Sequence, residues 1–119
     1  NNPNAMTLEF PTQQVLEIIE ATQSDNWKTR RDALREMCPC HVKRDIDALW
    51  DRILQMTNDP NPLVRYQVLH SLCDGSPKHR ELEVIDAINS FWNDSDKKVK
   101  RQARRAINSW RRTGKWNIL

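Results

Sequence analysis

The segment NWKTRRDAL at residues 26–34 has two counterparts further along the chain, at intervals of 35 residues. It aligns without gaps with NPLVRYQVL at 61–69 and with DKKVKRQAR at 96–104. A fixed period of this length is typical of proteins built from stacked pairs of helices. Such arrays bury a continuous core between neighbouring pairs and usually bind partners over an extended surface. The repeat therefore predicts the shape of the protein and a binding role, but it does not identify the partner.

The composition favours a single all-α domain. The chain has 119 residues and only 2 glycines, which suits one core built from helices. No segment approaches the run of about 18 apolar residues that a membrane span needs, and no signal peptide is evident. The 3 cysteines cannot all pair within the chain. We therefore expect reduced thiols and a cytoplasmic location.

Hydrophobic spacing predicts six helices in three antiparallel pairs. A cap at Ser24, Asp25 or Asn26, the turn at 58–62 and Gly114 mark several of the helix ends. The helices are expected at about residues 11–22, 27–37, 42–57, 62–73, 77–92 and 97–113. We expect the helix pairs to form units at about 11–38, 42–73 and 77–113, flanked by an N-terminal tail at 1–10 and a C-terminal tail at 114–119. We also expect part of the N-terminal tail to derive from a tag. We predict a right-handed α-α superhelix with the second helix of each pair on one face.

Two of the turns carry an aspartate followed six residues later by a basic residue. Asp59 precedes Val64-Arg65, and Asp94 precedes Val99-Lys100, whereas the first unit has Ser24 ahead of Thr29-Arg30. With the period and the turns, these residues make the segment from about 11 to 113 resemble HEAT repeats, the two-helix units of α-solenoids. The resemblance implies a structural ladder of charged side chains between neighbouring units, formed by Asp59, Arg65, Asp94, Lys100 and Arg30.

The whole chain is also similar to a group of short bacterial HEAT-like proteins with no assigned function. The segments that carry this similarity lie at residues 37–41, 68–77 and 111–115. The similarity implies no activity. The sequence has no Ser-His-Asp signature, glycine-rich phosphate loop or His-Glu-x-x-His motif. We therefore expect no enzyme activity, no cofactor and no small-molecule substrate.

Positive charge is concentrated at the end of the chain. Residues 1–95 have a net charge of −5, and residues 96–119 have a net charge of +8. Clusters of this kind bind phosphate backbones, and an exposed Trp116 would stack on a base. The alternatives are an acidic protein partner, the acidic first units of another copy, or a capping helix whose outer face is soluble.

A second candidate site contains thiols and imidazoles. Its members are Cys38, Cys40, His41, His70 and Cys73. Cys38 and Cys73 lie one period apart, at the ends of neighbouring second helices, and zinc accepts Cys and His ligands. The spacing matches no familiar zinc module, and free cysteines are often buried, so core packing is the simpler interpretation.

The second helices also present candidate partner-binding residues. Arg31, Tyr66 and Arg101 are equivalent at the period of 35 and form a row along the stack. Trp27 begins a second helix and is a candidate interface anchor, while Trp116 either covers the end of the stack or docks into a partner. The full candidate set is Arg31, Arg35, Tyr66, Arg101, Arg104, Arg105, Trp27 and Trp116.

The sequence thus predicts a small, non-catalytic HEAT-repeat scaffold for protein–protein interaction, as a monomer or a weak homo-oligomer. The alternatives are a nucleic-acid-binding module that uses the basic last helix and a zinc-stabilised interaction module.

Overall fold

The computed structural model describes residues 12–37 and 46–119. Within those ranges the chain forms six α-helices and no strand. The helices are α1 (Gln13–Ala21), α2 (Trp27–Glu36), α3 (Asp47–Gln55), α4 (Pro62–Cys73), α5 (Glu81–Asn89) and α6 (Lys97–Thr113). Short 3₁₀ turns at Met56–Asn58 and Lys78–Arg80 follow α3 and precede α5. The predicted all-α class is confirmed.

The second helix of each unit begins at the same kind of cap. Asn26, Asn61 and Asp96 adopt extended backbone angles, and each side chain accepts a hydrogen bond from the backbone N–H two residues later. At the other end of α6, Gly114 adopts a left-handed φ of 77°, where a side chain would be strained. These local signals explain why the predicted bounds of α4 and α6 agree with the structure.

The first helices are shorter than the sequence predicts. α5 begins at Glu81 because residues 78–80 form a 3₁₀ turn, and it ends at Asn89. Beyond that point Phe91 and Trp92 donate to carbonyls three residues back, and the Ser90 hydroxyl donates to the carbonyl of Ala87. These tighter bonds replace the last α-helical turn. The predicted starts of α1 at 11 and of α3 at 42 lie outside the described residues.

The helices form two layers. Helices α2, α4 and α6 lie side by side, and α3 contacts both α1 and α5 in the other layer. Each first helix also packs against the second helix of its own unit. Apolar side chains from both layers meet between them, and the fully buried ones include Leu34, Ile53, Val68, Leu69, Ile88 and Val99. The arrangement is that of three stacked helix pairs; the right-handed superhelix stays a prediction.

Ion pairs between consecutive turns connect the units. Arg30 donates from Nε and Nη2 to the two carboxylate oxygens of Asp59, at 2.8 and 3.0 Å. Arg65 makes the same bidentate contact with Asp94, at 2.9 and 3.1 Å. In both arginines Nη1 donates to carbonyl oxygens of the preceding turn, Ser24 for Arg30 and Asp59 for Arg65. Each guanidinium therefore joins its own turn to the carboxylate of the next one.

Lys100 occupies the position of Arg30 and Arg65 in the third unit. Within residues 12–37 and 46–119, Lys100 forms no ion pair. The ladder contacts of the described residues are therefore Arg30–Asp59 and Arg65–Asp94, and a structural role for Lys100 stays a prediction.

The end of the chain folds back onto the loop between α4 and α5. The Trp116 side chain is only 2% exposed, and its Nε1 donates to the Ser76 hydroxyl at 2.7 Å. That hydroxyl donates in turn to the carbonyl of Leu72 at 2.7 Å. Asn117 Oδ1 accepts from the backbone N–H groups of Gly75 and Ser76, at 3.0 and 3.2 Å. We call this set of contacts the clasp.

We predict that the clasp stabilises the third unit. Trp116→Ala removes a buried indole and leaves the Ser76 hydroxyl without one partner, so it should lower the free energy of unfolding by about 3–5 kcal/mol. Leu119→Ala is the matched control because Leu119 is 49% exposed, and it should change stability by less than about 0.5 kcal/mol. Urea denaturation followed by circular dichroism measures both. Equal effects of the two substitutions would contradict the clasp.

Candidate partner-binding face

One face of the stack repeats the same positions on α2, α4 and α6. Each second helix contributes three residues at spacings of three and four, so the three share one side of their helix. We call this surface the basic face; it consists of Lys28, Arg31, Arg35, Leu63, Tyr66, His70, Lys98, Arg101 and Arg105. All nine retain some exposure to solvent.

The predicted row of Arg31, Tyr66 and Arg101 forms the middle of this face. Arg101 is exposed, while Arg31 and Tyr66 are partly buried, and the row is not split between faces because α4 lies between α2 and α6. Sequence reasoning missed the neighbouring row of Lys28, Leu63 and Lys98. The signal was available: these residues lie three positions before the first row and repeat at the same period.

The α2 side of the basic face is held in place by neighbouring side chains. The Arg31 guanidinium lies 5.1 Å from the centre of the Trp27 ring and 3.2 Å from an Asp32 oxygen. Trp27 is therefore partly buried beneath a cation and packs against the core. Arg35 donates to Gln67 Oε1 at 3.4 Å and so bridges α2 and α4. Trp27 therefore packs under the basic face and positions Arg31, and little of its ring is presented to a partner.

The α6 side of the basic face carries uncompensated charge. Among the residues that the structure describes, no lysine or arginine of α6 forms an ion pair with a carboxylate. By contrast, Arg30, Arg65 and Arg80 are all paired. Exposed charges of one sign attract an oppositely charged partner over about 10 Å at moderate salt. The positive charge that the sequence concentrates in residues 96–119 therefore lies along α6 as a positive surface.

An acidic cluster lies on the layer of first helices. Arg80 donates to Asp51 at 2.6 Å and to Glu83 at 2.9 and 3.0 Å, and it reaches Asp47 at 3.4 Å. These bonds raise the pKa of Arg80 and lower the pKa of Glu83. Because the pKa of Glu83 is lower in the folded protein than in the unfolded chain, its interaction with Arg80 stabilises the fold at any pH above the ordinary glutamate pKa. This stabilisation is lost as the pH falls through the lowered pKa.

Sequence reasoning missed Arg80, the basic member of this cluster. The available signal was an interval of 29 residues between Asp51 and Arg80, the same interval that separates Arg30 from Asp59.

The structure gives two of the predicted partner-binding residues contacts within the chain, and for Trp116 this is the first of its two predicted alternatives, in which it covers the stack. Trp116 is buried in the clasp, so its indole is not available to a partner or a base. Arg104 donates to the carbonyl of Trp92 at 2.8 Å and to Asn93 Oδ1 at 3.0 Å, and its guanidinium lies 4.8 Å from the centre of the Trp92 ring. Arg104 therefore braces the turn between α5 and α6. No sequence pattern indicates these contacts, because they depend on how the turn folds.

The candidate thiol and imidazole group is only partly described. Cys38, Cys40 and His41 lie outside the described residues. Cys73 is fully buried, and burial raises the pKa of its thiol to about 12, while His70 lies 3.8 Å from Asp74. Within residues 12–37 and 46–119, no group of three metal-ligating side chains is arranged to hold an ion. The zinc-stabilised module stays a prediction.

We predict that the Cys73 thiol is unreactive in the folded protein. Its raised pKa keeps it protonated, and burial blocks the approach of a reagent. Treatment with iodoacetamide at about pH 8, near the ordinary thiol pKa, should leave Cys73 unmodified, as measured by peptide mass spectrometry. The same peptide from protein unfolded in guanidinium chloride should be fully alkylated. Rapid alkylation of Cys73 in the folded protein would contradict its placement.

Comparison with known proteins agrees with this geometry. A family model described as HEAT repeats matches residues 15–108. Comparison with curated proteins and with solved structures gave no significant match. None of the described helices is long and apolar enough to cross a membrane. HEAT repeats commonly act as protein-interaction scaffolds and are generally not catalytic. With three stacked helix pairs, an Arg–Asp ladder and a family match over most of its length, the chain belongs to the HEAT-repeat family.

Proposed function

We propose that this protein is a non-catalytic scaffold that binds another protein through the basic face. The observation that carries the proposal is the pattern across its three helices. The centre of the face, on α4, carries Leu63 and Tyr66, and cations flank them at Arg31 on α2 and Arg101 on α6. Leu63 is 50% exposed although it is apolar. An apolar centre with a charged rim is the usual anatomy of a protein interface.

The pattern also favours a particular kind of partner segment. An apolar side chain of the partner would pack on Leu63 and Tyr66, while carboxylates on either side of it would meet Arg31 and Arg101. Aromatic and arginine residues supply much of the binding energy at interfaces, whereas charged rims mainly set the association rate and the orientation. We therefore propose an acidic polypeptide segment with at least one large apolar residue.

The ladder supports the proposal by linking the units that carry the face. Arg30–Asp59 and Arg65–Asp94 join consecutive units at their turns. A preorganised face loses less conformational entropy when it binds than a flexible one does. We also place the scaffold in the cytoplasm, since Cys73 is a free thiol and suits a reducing compartment.

A nucleic-acid ligand is the second candidate. Its supporting observation is the exposure of Lys97, Lys98, Arg101, Arg105 and Arg112 without carboxylate partners among the described residues. Two features weigh against it: the burial of Trp116 removes a platform for base stacking, and the apolar centre at Leu63 offers nothing to a phosphate backbone.

The proposal predicts what a random peptide display library should yield. Enriched peptides should carry acidic residues around an apolar one. Their affinity should fall by about tenfold or more, which is about 1.4 kcal/mol, on Arg101→Glu and on Leu63→Ser. Both substitutions are at exposed positions, so the fold should persist. Lys78→Glu is the matched control because Lys78 is exposed and lies in the turn before α5, and it should leave the affinity unchanged.

Fluorescence anisotropy measures these affinities and separates the two candidates. Labelled peptide and labelled duplex DNA are titrated at low and at near-physiological salt. Peptides that bind Arg101→Glu as tightly as the unmodified protein would contradict the proposal. DNA binding that persists at physiological salt and is lost on Arg101→Glu would replace it with the nucleic-acid function, since phosphate contacts are steeply salt-dependent.

A further inference from the structure

Among residues 12–37 and 46–119, no element covers the groove between the two helices of the first unit. A groove of about 350 Å³ runs between α1 and α2, and its lining includes Glu17, Ile18, Ala21, Asp32, Ala33 and Glu36. Two periods later the equivalent residues are Ala87, Ile88, Phe91, Gln102, Ala103 and Ala106. All six are at most 9% exposed, within the stack. The groove, here called the N-terminal edge, is therefore the surface that a preceding unit would cover.

The third unit has the complementary surface at the other end of the stack. A groove of about 270 Å³ lies between α5 and α6 and is lined in part by Leu82, Ile85, Ile107 and Arg111. Leu82 is 81% exposed. Ile85 and Ile107 lie in its floor at 8% and 1% exposure, so Leu82 is the apolar side chain that this groove presents to a partner. We call this surface, together with Arg104, the C-terminal edge.

The two edges carry opposite charges. At the N-terminal edge, the acidic residues Glu17, Asp32 and Glu36 occupy positions that hold Arg52, Gln67 and Ser71 in the second unit. At the C-terminal edge, Arg104 occupies the position of Leu34 and Leu69, which are both 0% exposed. A cap needs only polar side chains to keep the end of a solenoid soluble. Opposite signs at the two ends favour a head-to-tail contact between copies.

The contacts between units within the chain predict which residues would meet in such a contact. Arg35 of the first unit donates to Gln67 of the second at 3.4 Å. Arg105 and Asp32 are the equivalents of Arg35 and Gln67 at the period of 35. Stacking a second copy by the same step brings its Asp32 opposite Arg105, so that a hydrogen bond from a guanidinium to a neutral amide is replaced by an ion pair.

A second contact within the chain has a charged counterpart at the same junction. Arg52 donates to the Thr22 hydroxyl of the preceding unit at 2.8 Å. Glu17 and Trp92 are the equivalents of Arg52 and Thr22 at the period of 35. A second copy stacked in the same way would therefore place its Glu17 at Trp92, where Arg104 and Arg111 lie 4.8 and 5.3 Å from the centre of the ring.

We propose that copies of this chain stack head to tail, with the C-terminal edge of one on the N-terminal edge of the next. Such a contact joins two different surfaces, so it does not close on itself after one step and extends into an open chain of subunits. The contact covers the exposed Leu82 and the groove between α1 and α2, and the flanking charges pair. The stack would continue the basic face from copy to copy. This inference does not depend on the proposed partner, because it needs only the two ends of the stack, although Arg105 belongs to the basic face as well.

Sedimentation velocity tests the proposal. As protein concentration rises toward about 1 mM at low salt, the weight-average mass should increase beyond that of a dimer. It should fall in high salt because the ion pairs are screened. Asp32→Arg and Arg105→Asp each place like charges at the junction, so each variant alone should remain monomeric. Both positions are exposed, so circular dichroism should show an unchanged fold.

Mixing the two variants provides the decisive comparison. In a mixture, the introduced arginine at 32 faces the introduced aspartate at 105, and the unchanged residues at the alternate junction also have opposite signs. The mixture should therefore recover the mass of the unmodified protein, and Lys78→Asp should assemble normally. The proposal would be overturned if the unmodified protein stayed a monomer at every concentration or if its mass stopped at that of a dimer. It would also be overturned if either single variant still assembled or if the mixture stayed monomeric.

Discussion

A bidentate contact between an arginine of one unit and an aspartate in the next turn links each helix pair to the next. The side chains of Arg30 and Asp59 are 14% and 6% exposed, and those of Arg65 and Asp94 are 14% and 9% exposed. A charge held at such low exposure requires its partner, because removing the partner leaves an unpaired, poorly solvated ion. The fork geometry of the guanidinium also fixes the orientation of one turn relative to the next. The ladder thereby links the turns next to α2, α4 and α6, the three helices that carry the basic face.

The parts of the fold that depend on local signals could be predicted from the sequence. The caps at Asn61 and Asp96 and the glycine at 114 act through neighbouring backbone groups, so the bounds of α4 and α6 were predictable. The period of 35 residues is also sufficient by itself to place Arg31, Tyr66 and Arg101 in one row, because equivalent positions of stacked units lie side by side.

Features that depend on distant contacts were not predictable in the same way. The clasp joins Ser76 to Trp116 across 40 residues, so the sequence leaves open whether Trp116 covers the stack or meets a partner. Charge alone predicts a free cation at Arg104, since nothing in the sequence shows that the carbonyl of Trp92 accepts from it. The same repeat position is interior at Leu34 and Leu69 and terminal at Arg104. A periodic pattern predicts where a side chain lies in its unit, and the position of the unit in the stack decides what surrounds it.

A double-mutant cycle on Arg65 and Asp94 is the sharpest test of the ladder. Arg65→Gln and Asp94→Asn retain polar side chains of similar shape, and the free energy of unfolding is measured for the two single variants and the double variant. If the ladder fixes the units to one another, the pair should show a coupling energy of about 1–3 kcal/mol. Single effects that add to within about 0.5 kcal/mol would mean that the units stack without the ladder, and they would contradict its role in orienting the helix pairs.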